Sequence, residues 1–256
     1  MNYFLILAII LLIYMSFWFV LSLIKKRNDL ADLAWGLGFV LLAWISFYFG
    51  SGETLSLRAL LVTAMVTVWG VRLSTHIYLR NKGKEEDYRY KKWRKEWSYF
   101  KLRSFFQIYI LQGILLYIIV LPALIVNMSP TSGLTLFDGV GLFIWLFGFS
   151  FEVLADYQLK RFIQNPETGG IMQKGLWGWS RHPNYFGEVV QWWGIFTISL
   201  SVSQTFLIAL SPITITVLIL KISGVPLLEE KMASRPGFEE YKKRVNKFFP
   251  GPSKGK

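Results

Sequence analysis

The chain has 256 residues, 53% of them hydrophobic, 17% aromatic and only 17% charged, with a mean hydropathy of +0.39. A soluble domain carries about 25% charged residues, so this composition belongs in lipid and excludes a soluble fold, a nuclear factor or a disordered tail. The chain has no cysteine, which excludes disulfides, iron–sulfur clusters, thiolate zinc and a cysteine nucleophile. Two histidines, His76 and His182, are too few for a His-rich metal site, and no metal is expected.

A membrane span needs about 20 apolar residues. The charge distribution and hydropathy predict seven, at about 3–24, 33–51, 57–79, 104–127, 136–157, 185–201 and 204–224. The expected architecture is all-α: a polytopic helical bundle in one membrane-embedded domain over 1–256. The first span has its positive charges after the apolar run, unlike a signal peptide, so a retained anchor is expected. Of the 28 Lys/Arg residues, 25 fall in loop 25–32, segment 80–103, segment 158–184 and the tail 225–256. These segments share one side of the membrane, so positive-inside asymmetry predicts an external N-terminus and a cytosolic tail. The net charge of +12 then marks a cytosolic face, and nucleic acid is not an expected partner.

Ionisable groups at membrane depth are costly and are functional candidates by default. At the entrance of span 2, Asp29 suits water or a helix cap. Asp32, one position before the apolar run, either reaches a cavity or pairs with Lys26 or Arg27. Gly36-Leu-Gly38 in the same span lacks the third glycine of a dinucleotide-binding turn. Span 3 carries Arg72 and His76 at i and i+4, and span 5 carries Glu152 and Asp156 at the same spacing. Arg72 against Glu152 or Asp156 reads equally as a structural ion pair. The long run Val189–Leu220 is divided at Ser201-Val-Ser-Gln204, which keeps both flanking basic segments on one side. Span 6 opens with His182-Pro-Asn-Tyr-Phe-Gly-Glu188, Pro183 suiting a first helical turn. Asn184, Gly187, Glu188 and Gln191 then line one face. Span 7 ends near Lys221, ahead of Glu229 and Glu230. All of these groups lie toward the cytosolic ends, which predicts a polar cavity opening to the cytosol. Trp177 and Trp179, in a cytosolic loop beside Arg181, suit either stacking on a planar ligand or anchoring in headgroups.

Gly175-Leu-Trp-Gly-Trp-Ser-Arg-His-Pro-Asn-Tyr-Phe-Gly-Glu188 resembles the C-terminal signature of the membrane-embedded steroid 5-alpha-reductase and sterol carbon-14/carbon-7 reductase superfamily. Upstream, Glu152-Val-Leu-Ala-Asp-Tyr-Gln158 is similar to the superfamily's Asp-Tyr segment. Downstream, Leu228-Glu-Glu-Lys-Met232, Gly237-Phe-Glu-Glu-Tyr241 and Phe249-Pro250 resemble its closing segment. Asp29-Leu-Ala-Asp-Leu-Ala-Trp-Gly36 is similar to the pattern of a bacterial, uncharacterised DUF1295-like branch. The resemblance covers nearly the whole chain and is strongest over 150–250, the expected cofactor region.

It implies NADPH as cofactor and hydride transfer to an activated carbon–carbon double bond of a lipophilic substrate, a steroid-like, sterol or terpenoid lipid. The expected cofactor-binding set is Arg72, Glu152, Asp156, Arg161, Trp179, Arg181, His182, Asn184, Tyr185, Glu188, Lys221 and Glu230. Arg161, Lys174, Arg181 and Lys221 supply cations for phosphates, Asn184 matches a carboxamide, and Tyr185 and Glu188 suit a ribose. Asp32 is the first candidate proton donor, with Tyr78 and His76 behind it. Membrane lipids are the other expected partners, and a bacterial inner membrane is favoured over the endoplasmic reticulum.

The chain departs from the superfamily in several places. Asp32 stands where the steroid 5-alpha-reductases use a glutamate, and their tyrosine near span 3 is displaced to Tyr78. Lys221 and Val225 replace an arginine and a histidine of the last span. Arg181-His-Pro-Asn-Tyr-Phe-Gly187 and Glu229-Glu-Lys231 also fit integral-membrane methyltransferases of the isoprenylcysteine carboxyl type. In that alternative, His182, Tyr185 and Glu230 would hold S-adenosylmethionine. A third reading is a non-catalytic, sterol-binding membrane protein.

Overall fold

Each long apolar run becomes a helix in the computed structural model, which describes residues 2–50, 56–129, 133–165 and 170–253. α1 (Tyr3–Lys25), α2 (Leu30–Gly50) and α3 (Leu57–Asn81) are followed by the short α4 (Tyr88–Glu96), then α5 (Phe100–Asn127) and α6 (Leu136–Gln164). α7 (Pro183–Ser199) comes next. The last apolar stretch, Leu207–Met232, holds α8 (Leu210–Val217), a π-turn over Leu218–Ile222 and α9 (Val225–Met232). α10 (Phe238–Arg244) lies in the tail. Among the described residues, six stretches are long and apolar enough to cross a membrane. α7, with 17 residues, rises about 25 Å and sits at the short limit for a seventh.

The protein is an all-helical, multi-pass membrane protein. Among the described residues the one β-type pairing is an isolated bridge between Ser180 and Asn246. The expected break in Val189–Leu220 occurs, since α7 ends at Ser199 and helix resumes at Phe206. Other helices overrun their apolar stretches: α3 reaches Asn81, α6 reaches Gln164 and α5 begins at Phe100. Backbone bonds within a helix do not depend on lipid, so a helix continues until its own stop signals.

The chain forms two compact units. The first comprises residues 1–135 with 199–208. In it α1 buries Leu7, Leu11 and Met15 on one stripe and leaves Leu5, Ile9, Ile13 and Phe17 exposed, as suits a helix facing hydrocarbon. α2 and α3 meet at Gly36 and Gly70, where a Cβ on either would stand 2.7 Å from the other's carbonyl oxygen. Ser74 extends this contact by donating to the Leu33 carbonyl at 3.1 Å. The Gly36-Leu-Gly38 pattern is therefore a helix-packing device. Further along, the Asn127 amide donates to the Ala43 carbonyl and Ser46 Oγ, each at 2.9 Å, and to Thr63 Oγ1 at 3.0 Å. That buried network ties α2, α3 and α5 together.

The second unit comprises residues 136–198 with 209–256. α6 and α7 run antiparallel through two glycine contacts, Gly141 with Gly194 and Gly148 with Gly187. A Cβ at Gly141 would lie 2.6 Å from the Gly194 carbonyl oxygen, and one at Gly148 equally close to that of Gly187. The two contacts are two helical turns apart, so the backbones stay close over that length and continue toward Glu152. Beyond α6 the chain turns at Gly175, whose φ of +61° suits glycine and whose Cβ would strike the Gln158 amide. Trp177 then donates to the Ala155 carbonyl at 3.0 Å.

Candidate functional site

α7 begins at Pro183, which needs no N–H at that position, and its first two turns present the polar stripe to α6. Asn184 Nδ2 donates to Asp156 Oδ1 at 3.1 Å. One full polar layer deeper, Gln191 Nε2 donates to Glu152 Oε2 at 2.6 Å, with both side chains buried. A carboxylate only accepts, so each amide must turn its nitrogen to its acid. The carbonyl oxygens left over, Asn184 Oδ1 and Gln191 Oε1, are buried and take no hydrogen bond. Two acceptors on one helix face thus lack a donor. Glu188 and Tyr185 lie on the same first turns, both partly buried.

The residues just before α7 form a closed polar knot. Arg181, 8% exposed, contacts Glu229 Oε1 through Nε at 2.9 Å and through Nη2 at 2.7 Å. Its Nη1 donates to the Lys242 and Val245 carbonyls at 3.0 and 2.8 Å, satisfying the C-terminal end of α10. His182 Nε2 lies 3.3 Å from the same Glu229 oxygen, and its ring packs on Tyr185. Burial pushes the His182 imidazole below its ordinary range although Glu229 pulls it up, so the ring is neutral at pH 7. Ser180 Oγ donates to the Phe248 carbonyl at 2.7 Å and Tyr241 to that of Trp177 at 2.7 Å. These bonds strap the C-terminal tail onto the signature loop. Glu229 is the acid of the knot, whereas Glu230, the member of the pair expected at the site, is exposed.

In the first unit Asp32 accepts from two groups of α4: Arg89 Nη2 on Oδ2 at 2.9 Å and the Tyr90 hydroxyl on Oδ1 at 2.6 Å. It does not take Lys26 or Arg27. Arg27 instead binds Asp29 through two bonds of 2.7 and 3.0 Å, so Asp29 is buried and neutralised where water or a cap was expected. Asp87 caps α4 by accepting from the Arg89 amide at 3.0 Å. Burial and then the Asp32 charge push the Tyr90 phenol well above its ordinary value, so it keeps its proton. Tyr78, the tyrosine expected near Asp32, is 52% exposed on α3, and His76 is exposed as well. Arg72 is half-buried one turn before His76.

The remaining expected residues lie around the second unit's rim. Arg161 is exposed with its guanidinium 5.6 Å from the Tyr157 ring centroid, Trp179 is 55% exposed, and Lys174 and Lys221 are exposed. Two residues outside the expected set prove central to their clusters: Tyr90 and Glu229. Tyr90, Trp93 and Trp97 recur at i, i+3 and i+7 behind an aspartate, a signal for an amphipathic helix inside what reads as a simple charged loop. Nothing in the sequence separates Glu229 from Glu230.

The family described as a protein of unknown function, DUF1295, matches residues 18–245. A protein of the fission yeast Schizosaccharomyces pombe, itself described as uncharacterized, is 26% identical over 258 aligned positions, covering 90% of this chain and 74% of its own length. No solved structure matches the chain.

Proposed function

The chain belongs to the DUF1295 family, and from that premise we propose that it is an NADPH-dependent reductase of an activated carbon–carbon double bond in a steroid-like, sterol or terpenoid lipid. We further propose kinship with the steroid 5-alpha-reductase superfamily, and a bacterial inner membrane as its setting, with the endoplasmic reticulum as the alternative.

The observation that supports this reading most is Asn184. It sits in the stretch that resembles the superfamily's nicotinamide site, its nitrogen is committed to Asp156, and its buried carbonyl lacks a donor. A nicotinamide carboxamide carries the N–H group that this oxygen requires, and an unmet buried acceptor favours whichever ligand supplies one. Tyr185 and Glu188 are placed on the same turns for a ribose, and the exposed cations Arg161, Lys174 and Lys221 for phosphates. NADPH, when bound, supplies the hydride. Hydride transfer leaves charge at the acceptor's far end, which a hydrogen-bond donor must stabilise. Arg181 and His182 act by holding the signature loop to the tail.

The same knot disfavours the methyltransferase alternative, because His182 is buried against Glu229 while Glu230 is exposed. Thermal-shift titration of the detergent-purified chain decides between them. NADPH is expected to raise the melting temperature saturably, and Asn184→Leu to weaken NADPH by about tenfold. Stabilisation by S-adenosylmethionine and not by NADPH overturns the reductase reading.

A further inference from the structure

The segment joining α3 to α5 carries more positive charge than its own acids neutralise. Residues 80–103 hold ten Lys/Arg against four acids, Glu85, Glu86, Asp87 and Glu96. Three of those acids are matched within the segment: Glu85 by Lys91, Glu86 by Arg94 at 2.8 Å and Asp87 by Arg89 at 3.0 Å. Lys82, Lys84, Lys92, Lys95 and Lys101 are all exposed.

α4 keeps Lys92 and Lys95 outward. Its inner face is Tyr90, bonded to Asp32 and edge-on to Trp93 at 5.3 Å. Trp93 stacks on Trp97 at 5.1 Å and 11°, and the Arg103 guanidinium lies over Trp97 at 4.7 Å. A ladder of rings therefore runs from the Asp32 carboxylate to the Arg103 guanidinium, with Lys92 and Lys95 on the opposite face of the helix. Next to it, at the start of α5, Tyr99 is 84% exposed, Leu102 61% and Phe106 54%.

Fixed cations beside exposed rings and an aliphatic chain, at the ends of two membrane-spanning helices, match a layer that is anionic on one side and hydrocarbon on the other. A nucleic acid or a soluble acidic protein offers the charge without the adjoining apolar phase. We propose that this segment binds the phosphate headgroups of anionic lipids in the leaflet it faces. Because Tyr90 belongs to the same short helix, lipid held at Lys92, Lys95 and Arg103 braces the Asp32–Tyr90 pair.

The test is lipid retention by the full chain. Protein purified from mixed phosphatidylglycerol and phosphatidylcholine is expected to keep phosphatidylglycerol enriched about threefold or more over the mixture. The combined variant Lys92→Gln, Lys95→Gln, Lys101→Gln and Arg103→Gln should fall to the ratio of the mixture. A control with four cations of the second unit neutralised (Lys160, Arg235, Lys243 and Lys247, each to Gln) should keep the enrichment. So should Lys92→Arg/Lys95→Arg/Lys101→Arg, which separates loss of charge from loss of fold. Enrichment that survives the first variant, or disappears equally in the control, overturns the proposal. Release of the lipid by inorganic phosphate, but not by chloride at equal ionic strength, also overturns it and reassigns the surface to a phosphate-bearing solute. None of these readouts uses NADPH, so the reductase reading stands or falls separately.

Discussion

A carboxylate that accepts from both a guanidinium and a phenol, as Asp32 does from Arg89 and Tyr90, has both oxygens tied to α4. The phenol spends its one O–H on Asp32. Tyr90→Phe deletes that donor and changes little else in volume. It is expected to lower the melting temperature, at a cost of about 1–3 kcal/mol, by leaving Asp32 Oδ1 without its donor. An unchanged melting temperature would show that Arg89 alone satisfies Asp32. Arg181 poses the opposite case, a cation expected to meet phosphate but engaged by Glu229 and two backbone carbonyls. Arg181→Ala leaves those acceptors unmet in a site only 8% exposed, at a cost of about 3 kcal/mol. Thermal melting should fall, and limited proteolysis should cut the tail after α10. A variant of unchanged stability with weakened NADPH binding would show that Arg181 contacts the cofactor directly.

At the scale of elements, glycine placement decides how the polar residues meet. Gly148 and Gly187 let α6 and α7 approach so closely that Glu152 and Asp156 lie within bonding reach of Gln191 and Asn184. Gly187→Ala puts a methyl about 2.5 Å from the Gly148 carbonyl oxygen, and such overpacking costs about 1–3 kcal/mol. Gly139→Ala, on the same α6 but with open space around the added methyl, should leave stability unchanged or raise it slightly. Melting curves of the two variants in one detergent test the contrast, and equal destabilisation would contradict the close contact. The element least visible beforehand was α4. Its residues are mostly charged, so hydropathy treats them as loop. The spacing of Tyr90, Trp93 and Trp97 reveals a helix only when read for period rather than polarity.

At the scale of the molecule, sidedness follows from charge. With 25 of 28 basic residues in alternate segments, the tail is expected in the cytosol and the N-terminus outside. A C-terminal fluorescent reporter that folds only in the cytosol should light up, and a tail accessible to an impermeant external protease would reverse the orientation. The apolar spans and the division near Ser201 were legible because hydropathy and charge add up along the chain, and each stretch carries its own share of the signal. The Asn184, Glu188 and Gln191 stripe was legible too, since helical period alone puts those residues on one face. Pairing has no such local signature. Asp32 meets Tyr90 across 58 positions, and Arg181 meets Glu229 across 48. Those partners are chosen by how closely helices pack and how a short helix or a tail folds back. Sequence by itself thus determined the spans, their expected sides and the polar faces. Only the tertiary structure decided that Tyr90 rather than Tyr78 joins Asp32, since α4 folds back onto the start of α2, and that Glu229 rather than Glu230 joins Arg181, since one step along a helix turns a side chain by about 100°.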